Sequence, residues 1–359
     1  MRACKANAAG SAGRRASSAR QVLAVSLALI MALGTALPVF CEDIYRWRDD
    51  DGILHFSDTP PAAADTRLLP SASPTPATSP DYAPPASDRI EGGHSGVFWK
   101  IENDLSPPSF LLGTIHSSDP SVMQTLDVVD EALQETHTFV MEMELTSDTF
   151  FTIGGAMMLP GDFDLADLLG PTDYRRLVAA MATQPFPEAI MRKMKPWVLM
   201  AILSQPKNSG GDFMDLHLYR QALEAGKQVF GLETAEEQLA VFDGLTIEDQ
   251  VALLRSTLNQ LDTFEEMIKK LVDVYLSGDL DAIATLARTT MERNGTDIER
   301  RFLRRLNDDR NDRMVRRMIP RIEQGGAFIA VGALHLAGPS GIIRQLSDRG
   351  YRLTPMDGR

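Results

Sequence analysis

The chain has 359 residues, 44% of them hydrophobic and 24% charged, which is typical of a soluble globular protein with a sizeable core. The formal net charge is −13. Residues 1–40 carry five basic and no acidic side chains, so the rest of the chain has 31 basic and 49 acidic groups and a net charge of −18. This acidity excludes nucleic acid as an expected partner, because phosphate binding needs a basic surface, and it suits a metal or another cation better.

Residues 1–41 have the pattern of a signal peptide. Basic residues up to Arg20 precede an uncharged apolar run from Val22 to Phe40, with cleavage expected after Ala36 or Cys41. The alternative is an uncleaved anchor, since about 19 apolar residues just span a bilayer, and membrane contact is then expected through this segment only. Both cysteines lie in this segment, so a disulfide framework or a cysteine-based zinc site is excluded for the rest of the chain. We expect an exported protein of the periplasm or cell envelope.

Two short regions are predicted to precede the main domain. Residues 43–61 are predicted to form a β-hairpin, because the β-rich runs Ile44–Arg48 and Ile53–Ser57 flank the turn pattern Asp51-Gly52. Residues 62–95 are rich in Pro, Ala, Ser and Thr and poor in large apolar side chains, so they are predicted to be a disordered linker.

The main domain is predicted over residues 97–356, with an α/β fold. A small mixed sheet carries two Gly-x-x-His strand–loop–helix units, and residues 147–325 form a large, mostly helical insertion with a capping box at Thr234 and Glu237. A helix is expected from Asp119-Pro120 to Glu135. The strands are expected at Val97–Ile101, Phe110–Gly113, Thr138–Leu145 and Gln228–Leu232 and within residues 327–355.

A doubled motif, Gly-x-x-His-x-x-x-Pro, is the most informative feature of the chain. Its copies run from Gly113 through His116 to Pro120 and from Gly332 through His335 to Pro339, each after an apolar strand and with the proline where a helix is expected to start. Open α/β sheets bind ligands at the carboxyl ends of their strands. The two histidines are therefore predicted to share one site.

A strand with two carboxylates follows the first copy of the motif. In Phe139–Leu145 the side chains alternate, so Glu142 and Glu144 point to the same face. A solvent-facing edge strand is the alternative interpretation. Imidazole and carboxylate together are ligands for a divalent first-row ion, and water bound to such an ion becomes a nucleophile near neutral pH.

These motifs resemble those of the TraB/GumN family, also called the PrgY or pheromone-shutdown family, to which the Tiki metalloproteases are related. The resemblance covers about residues 97–356. It is carried by Gly113-Thr-Ile-His116, Glu142 and Glu144, Lys195-Pro-Trp197, Gly231-Leu-Glu-Thr234 with Gln238, Arg310-Asn311 and Val331–Gly338. The N-terminal hairpin resembles the DUF4124 module through Tyr45, Trp47, Asp49, Gly52, Phe56, Ser57, Asp58 and Pro60.

The resemblance implies a Tiki-like metallopeptidase or other hydrolase. The implied metal ligands are His116, Glu142 and His335, with Mn²⁺, Co²⁺ and Zn²⁺ not distinguished. Glu144 is implied to be a supporting ligand or base, and Arg310 and Asn311 to position groups or stabilise the oxyanion. The expected substrate is a peptide or small molecule. Two alternatives remain: a non-catalytic envelope protein that sequesters a peptide or small ligand in the same cleft, and an envelope assembly factor whose hairpin and linker present the large domain.

Overall fold

The computed structural model describes part of the chain, residues 45–48, 54–57, 96–205, 212–292 and 296–356. The described residues fall into two compact units, one that contains residues 45–48 and 54–57 and one that contains the described part of residues 96–356. The predicted signal peptide and linker lie outside the described residues. Among the helices that are described, none combines the length and the apolar character needed to cross a bilayer.

The smaller unit contains a two-stranded antiparallel sheet. Strand β1 (Tyr45–Arg48) pairs with β2 (Leu54–Ser57), with Tyr45 opposite Ser57. This pairing is the one that the turn pattern between the two runs predicts.

The larger unit is built on a six-stranded mixed sheet, as the described residues show it, with strand order β6-β5-β7-β4-β3-β8. The four strands from β6 to β4 are parallel, and β3 and β8 extend the sheet with antiparallel pairs. The mixed α/β sheet predicted from the sequence is therefore confirmed. The strands are β3 (Phe98–Glu102), β4 (Ser109–Thr114), β5 (Thr138–Met143), β6 (Gln228–Glu233), β7 (Ala327–Gly332) and β8 (Arg352–Pro355).

Helices make up most of the remaining described chain, as the long helical insertion predicts. In chain order they are α1 (Pro120–Met123), α2 (Asp130–Glu135), α3 (Ser147–Ala156), α4 (Leu165–Ala180), α5 (Glu188–Met191), α6 (Pro196–Leu203), α7 (Met214–Glu224), α8 (Ala235–Asp243), α9 (Ile247–Gln260), α10 (Phe264–Leu276), α11 (Leu280–Glu292), α12 (Asp297–Leu306), α13 (Asp308–Gln324), α14 (Ala333–Leu336) and α15 (Ile342–Asp348). The predicted capping box at the start of α8 is present, with Thr234 and Glu237 each bonded to the other's backbone N–H.

The core lies on the central strands of the sheet. Phe139 of β5 and Phe328 of β7 are fully buried, and their rings stack with centroids 6.2 Å apart. Strands buried on both faces need apolar residues at nearly every position, as β5 and β7 have. Replacing one of these phenylalanines with alanine typically costs about 3–5 kcal/mol, so the core fixes the positions of the strand ends firmly.

The predicted helix from Asp119 to Glu135 is wrong as a single element. It begins as predicted, with the Asp119 carboxylate accepting a hydrogen bond from the Ser121 backbone N–H at 2.9 Å. The chain then passes from α1 through a 3-10 turn into α2. The Thr125 hydroxyl bonds back to the Val122 carbonyl at 2.7 Å, a local bond that competes with regular α-helical pairing.

Candidate functional site

The two Gly-x-x-His motifs reach the same edge of the sheet. Strands β4 and β7 are parallel neighbours, with Thr114 opposite Gly332 at their carboxyl ends. His116 follows β4 by two residues, and His335 follows β7 by three. The parallel register therefore delivers both histidines to the edge where α/β sheets place their ligands.

The glycine of the first motif permits a close approach by the second motif. A Cβ atom at Gly113 would lie 2.9 Å from Leu336 Cδ2 and 3.0 Å from Ala333 Cα, distances that real Cβ atoms hardly tolerate. The Tyr275 hydroxyl also donates to the Gly113 carbonyl at 2.9 Å. Helix α14, which carries His335, thus packs directly on the end of β4.

In the second motif, Pro339 does not begin a helix, contrary to the prediction. His335 lies inside the short helix α14, and Gly338, in the left-handed region at φ 80°, follows it. The Gly341 N–H donates to the Gly338 carbonyl at 3.0 Å, which closes a turn around the proline, and α15 begins only at Ile342. Left-handed backbone favours glycine, and here it ends the motif in a turn.

Glu142 is a buried carboxylate at the centre of the site. Strand β5 lies between β6 and β7, so the solvent-facing edge interpretation of this strand is wrong. Only 6% of Glu142 is exposed. Its Oε1 accepts the Gly332 N–H at 2.8 Å, and its Oε2 accepts from Arg310 Nη2 at 2.5 Å. The second motif therefore bonds directly to the glutamate strand.

His335 is held in one tautomer by Asn311. The Asn311 amide Nδ2 donates to the Ser340 carbonyl at 2.8 Å, which leaves Asn311 Oδ1 as the acceptor 2.6 Å from His335 Nδ1. An amide oxygen only accepts, so His335 Nδ1 carries the proton and Nε2 keeps its lone pair. Burial, and then the charge of Arg310, lower the pKa of His335 well below its usual range despite the opposing Glu233, so the imidazole is neutral.

Two electron-pair donors consequently face each other in the buried site. His335 Nε2 lies 3.7 Å from Glu142 Oε1, and neither atom has a hydrogen to share when the glutamate is ionised. The imidazole nitrogen and the carboxylate oxygen are both ligands for divalent first-row ions. This pair therefore fits a metal ion by its chemistry.

A second carboxylate secures Glu142 through a shared arginine. Arg310, 2% exposed, donates from Nε to Glu233 Oε2 at 2.8 Å and from Nη2 to both carboxylates. Arg313 Nη1 adds a bond to Glu233 Oε1 at 2.8 Å. Burial alone lowers the pKa of Arg310, but Glu142 and Glu233 outweigh that effect and raise it above its usual value. We call Arg310, Glu142 and Glu233 the Arg310 cluster.

His116 has a different set of neighbours. Its Nδ1 lies 3.2 Å from Asp215 Oδ2, and the Thr114 hydroxyl donates to Asp215 Oδ1 at 2.6 Å. The ring of Phe213 stacks on the imidazole with centroids 5.0 Å apart and an interplanar angle of 16°. Acidic and aromatic partners from the start of α7 thus surround one side of His116.

The predicted ligand set is brought together in part. Glu142 and His335 are neighbours, whereas the ionisable neighbour of His116 is Asp215. Across the described part of the chain, no three His, Cys, Asp or Glu side chains are grouped closely enough to hold a metal ion. The metal site formed by His116, Glu142 and His335 therefore stays a prediction. Two of its three ligands, Glu142 and His335, are neighbours in the structure.

The predicted catalytic residues have distinct surroundings. Strand β5 ends at Met143, so Glu144 lies just beyond it and is half-buried. The pKa of Tyr219 is raised, first by burial and then by the negative charge of Glu144. The polar groups of Arg310 and Asn311 are engaged with Glu142, Glu233, His335 and backbone carbonyls. These contacts favour a positioning role for both residues over binding of an oxyanion.

The Lys-Pro-Trp motif supports the helical layer. Lys195 precedes α6, which Pro196 begins, and its ammonium group pairs with Asp243 at 2.8 Å. The ring of Trp197 stacks on Phe242 with centroids 5.0 Å apart. These contacts join α6 to α8, so the Lys-Pro-Trp motif has a structural role in packing the helices together.

Sequence reasoning gave no role to two residues that the structure places in the site, Glu233 and Asp215. Glu233 ends a parallel strand next to β5, so the rule that predicted the histidine site applies to it equally. His217 lies on the same helix, two residues after Asp215. Two residues correspond to about 200° around a helix, so His217 and Asp215 point in different directions.

Comparison with known proteins agrees with these motifs. The sequence pattern of the TraB/PrgY/gumN family matches residues 97–355, and that of DUF4124, a domain of unknown function, matches residues 30–86. The chain is similar to Metalloprotease TIKI1 of Xenopus tropicalis (26% identity, 72% of this chain, 61% of the relative), to Metalloprotease TIKI2 of Danio rerio (26%, 72%, 60%) and to a Metalloprotease TIKI homolog of Amphimedon queenslandica (23%, 72%, 61%). The chain spans about three fifths of the length of these relatives. No solved structure matches it.

Proposed function

Because the chain belongs to the TraB/PrgY/gumN family, we propose that it is an exported metal-dependent hydrolase that cleaves peptides. The relatives named metalloproteases support the proposal, as does the placement of both Gly-x-x-His motifs at one sheet edge. Export rests on the basic and apolar pattern of residues 1–41.

The observation that carries the proposal is the buried pair of His335 Nε2 and Glu142 Oε1, 3.7 Å apart. Two lone-pair donors this close lack a bridging proton, so a buried contact between them is unfavourable until a cation lies between them, although Oε1 also accepts the Gly332 N–H. A divalent cation would satisfy both atoms. His116, delivered to the same edge by β4, is the third proposed ligand.

A divalent ion held there would polarise a substrate carbonyl and lower the pKa of a bound water. The protein's own residues supply the geometry. Asn311 keeps Nε2 of His335 free for the ion, and Arg310 fixes the Glu142 carboxylate in one orientation. Glu144, just beyond the end of β5, is the proposed base or supporting ligand.

Metal content and peptide cleavage test this proposal together. We expect the purified full-length protein to carry about one equivalent of Mn²⁺, Co²⁺ or Zn²⁺ by elemental analysis and to cleave members of a peptide library. A His116→Gln/His335→Gln variant should lose both properties, because two of the three proposed ligands are gone.

His217→Gln is the matched control, since it makes the same chemical change on α7 outside the donor pair. It should keep both the metal and the activity. A double variant that retains metal and cleavage at the level of the control contradicts the proposal. Peptide binding without turnover, in protein saturated with each ion, would favour the sequestering protein instead.

A further inference from the structure

The start of α7 is attached to the His116 loop through its backbone and an aromatic ring. The Met214 N–H donates to the Ser117 carbonyl at 3.3 Å. Phe213, directly before the helix, covers one face of the His116 ring. The helix start is therefore in direct contact with the loop that presents the histidine.

Asp215, in the first turn of α7, has both carboxylate oxygens directed at the motif. Oδ1 accepts the Thr114 hydroxyl at 2.6 Å, and Oδ2 lies 3.2 Å from His116 Nδ1. Oδ2 is buried and has no hydrogen-bond partner among the described residues, so its approach to His116 Nδ1 at 3.2 Å is a close polar contact and not a formed hydrogen bond. A buried carboxylate oxygen without a donor costs about 1–3 kcal/mol or more, so a proton on His116 Nδ1 is strongly favoured.

We propose that Asp215 is a positioning residue that holds His116 as the Nδ1–H tautomer, with the lone pair of Nε2 free for a ligand. The inference deepens the proposed function, on which its consequence for metal binding rests. Thr114 fixes the carboxylate and Phe213 fixes the plane of the ring, so all three contacts select one orientation of the imidazole.

Asp215 and Asn311 then do the same task for different histidines. Asn311 Oδ1 is the hydrogen-bond acceptor for His335 Nδ1, and Asp215 Oδ2 is placed to accept from His116 Nδ1, but Asp215 offers a carboxylate whereas Asn311 offers a neutral amide. A carboxylate partner makes a ligating histidine more basic, and loss of such a partner typically lowers metal affinity or activity about 10–100-fold.

The test is an Asp215→Asn variant of the full chain, studied without metal by ¹⁵N NMR of the histidine rings. With Thr114 still donating to the remaining oxygen, the new amide NH₂ replaces Oδ2 and faces His116 Nδ1. It can only donate there, so the ring proton should move to Nε2. We expect an Nδ1–H tautomer in the parent protein and an Nε2–H tautomer in the variant, at about pH 8 where free histidine is neutral.

Metal affinity is the second measurement, by Mn²⁺ titration followed by electron paramagnetic resonance. We expect Asp215→Asn to weaken Mn²⁺ binding about 10–100-fold. Asp212→Asn, which removes the same charge from an exposed ion pair with Arg220, should change neither the tautomer nor the affinity. A His116→Gln variant assigns the ring signals.

An Nε2–H tautomer in the metal-free parent protein would overturn the inference, whether or not any variant folds. An unchanged tautomer in folded Asp215→Asn protein would overturn it as well. If the parent protein has the Nδ1–H tautomer and the variant switches it, but neither protein binds Mn²⁺, Co²⁺ or Zn²⁺, the positioning role stands and the proposed metal-dependent function fails.

Discussion

At the residue scale, one arginine balances two carboxylates inside the protein. Arg310 joins Glu142 and Glu233 from neighbouring strands, and its side chain is 3% exposed. Taking such charges out of water costs several kcal/mol per ion, and the cost is offset only while every partner is present. The Arg310 cluster therefore holds Glu142 in place, and the burial of its charges depends on the presence of all three side chains.

Replacing Arg310 with methionine should lower the free energy of unfolding by about 3–5 kcal/mol, because two carboxylates are left buried without their shared cation. Chemical denaturation of the metal-free protein measures this change. The matched control is Arg316→Met on the same helix, where the arginine is 62% exposed and pairs with Asp312. It should change stability by less than about 1 kcal/mol. Equal effects of the two substitutions would mean that the cluster contributes nothing beyond an ordinary surface pair.

At the element scale, the site depends on how closely α14 approaches the end of β4. Strand β4 contains the glycine of the first Gly-x-x-His motif, and α14 contains the histidine of the second. The two elements touch at Gly113. Since a side chain there has no room, the glycine is explained by packing, without reference to catalysis. The same element contact sets the distance between the two motifs.

Gly113→Ala should therefore destabilise the protein by about 1–3 kcal/mol, since the new methyl group overlaps Leu336 and Ala333. Gly154→Ala, inside α3 with open space around the new methyl group, should instead stabilise it by about 0.5–1 kcal/mol. Thermal unfolding of both variants provides the measurement. Opposite signs are the expected result, and a stabilised Gly113→Ala protein would show that α14 does not pack on β4 as described.

At the scale of the whole molecule, the described core and every candidate site residue lie within residues 96–356. The sheet of this unit is complete only with its antiparallel extension, in which β3 connects β4 to β8. Trp99 and Ile101 of β3 are fully buried there. We therefore expect this unit to need β3 in order to fold.

A protein that begins at residue 90 should fold by itself. Its thermal midpoint should lie within about 2 °C of the full-length value, because a loss of 1 kcal/mol shifts a unit of this size by about 2–4 °C. A protein that begins at residue 104 lacks β3 and should be unfolded, as β8 then has no strand partner. Circular dichroism with thermal melting distinguishes the two. If the protein that begins at residue 104 melts like the one that begins at residue 90, β3 is not required for folding.

Several features were accessible from the amino-acid order because they depend on local chemistry. The positions of β3 and β4, the capping box of Thr234 and Glu237, and the helix start at Asp119 follow from short-range patterns. The broken helix after Asp119 and the turn around Pro339 were missed, since the bonds that decide them compete closely with regular helix. The family, too, was evident from motifs that can be read one by one.

The sequence by itself determined the fold class and the idea that two histidine loops meet at one edge of a sheet. Alternating side chains and apolar strand runs are encoded within a few residues, so they need no three-dimensional information. Only the tertiary structure decided which partner each histidine has, Asn311 for His335 and Asp215 for His116. It alone joined Glu142 to Glu233 through Arg310. Such pairs join residues up to 168 positions apart, and their geometry exists only after helices and strands have packed together.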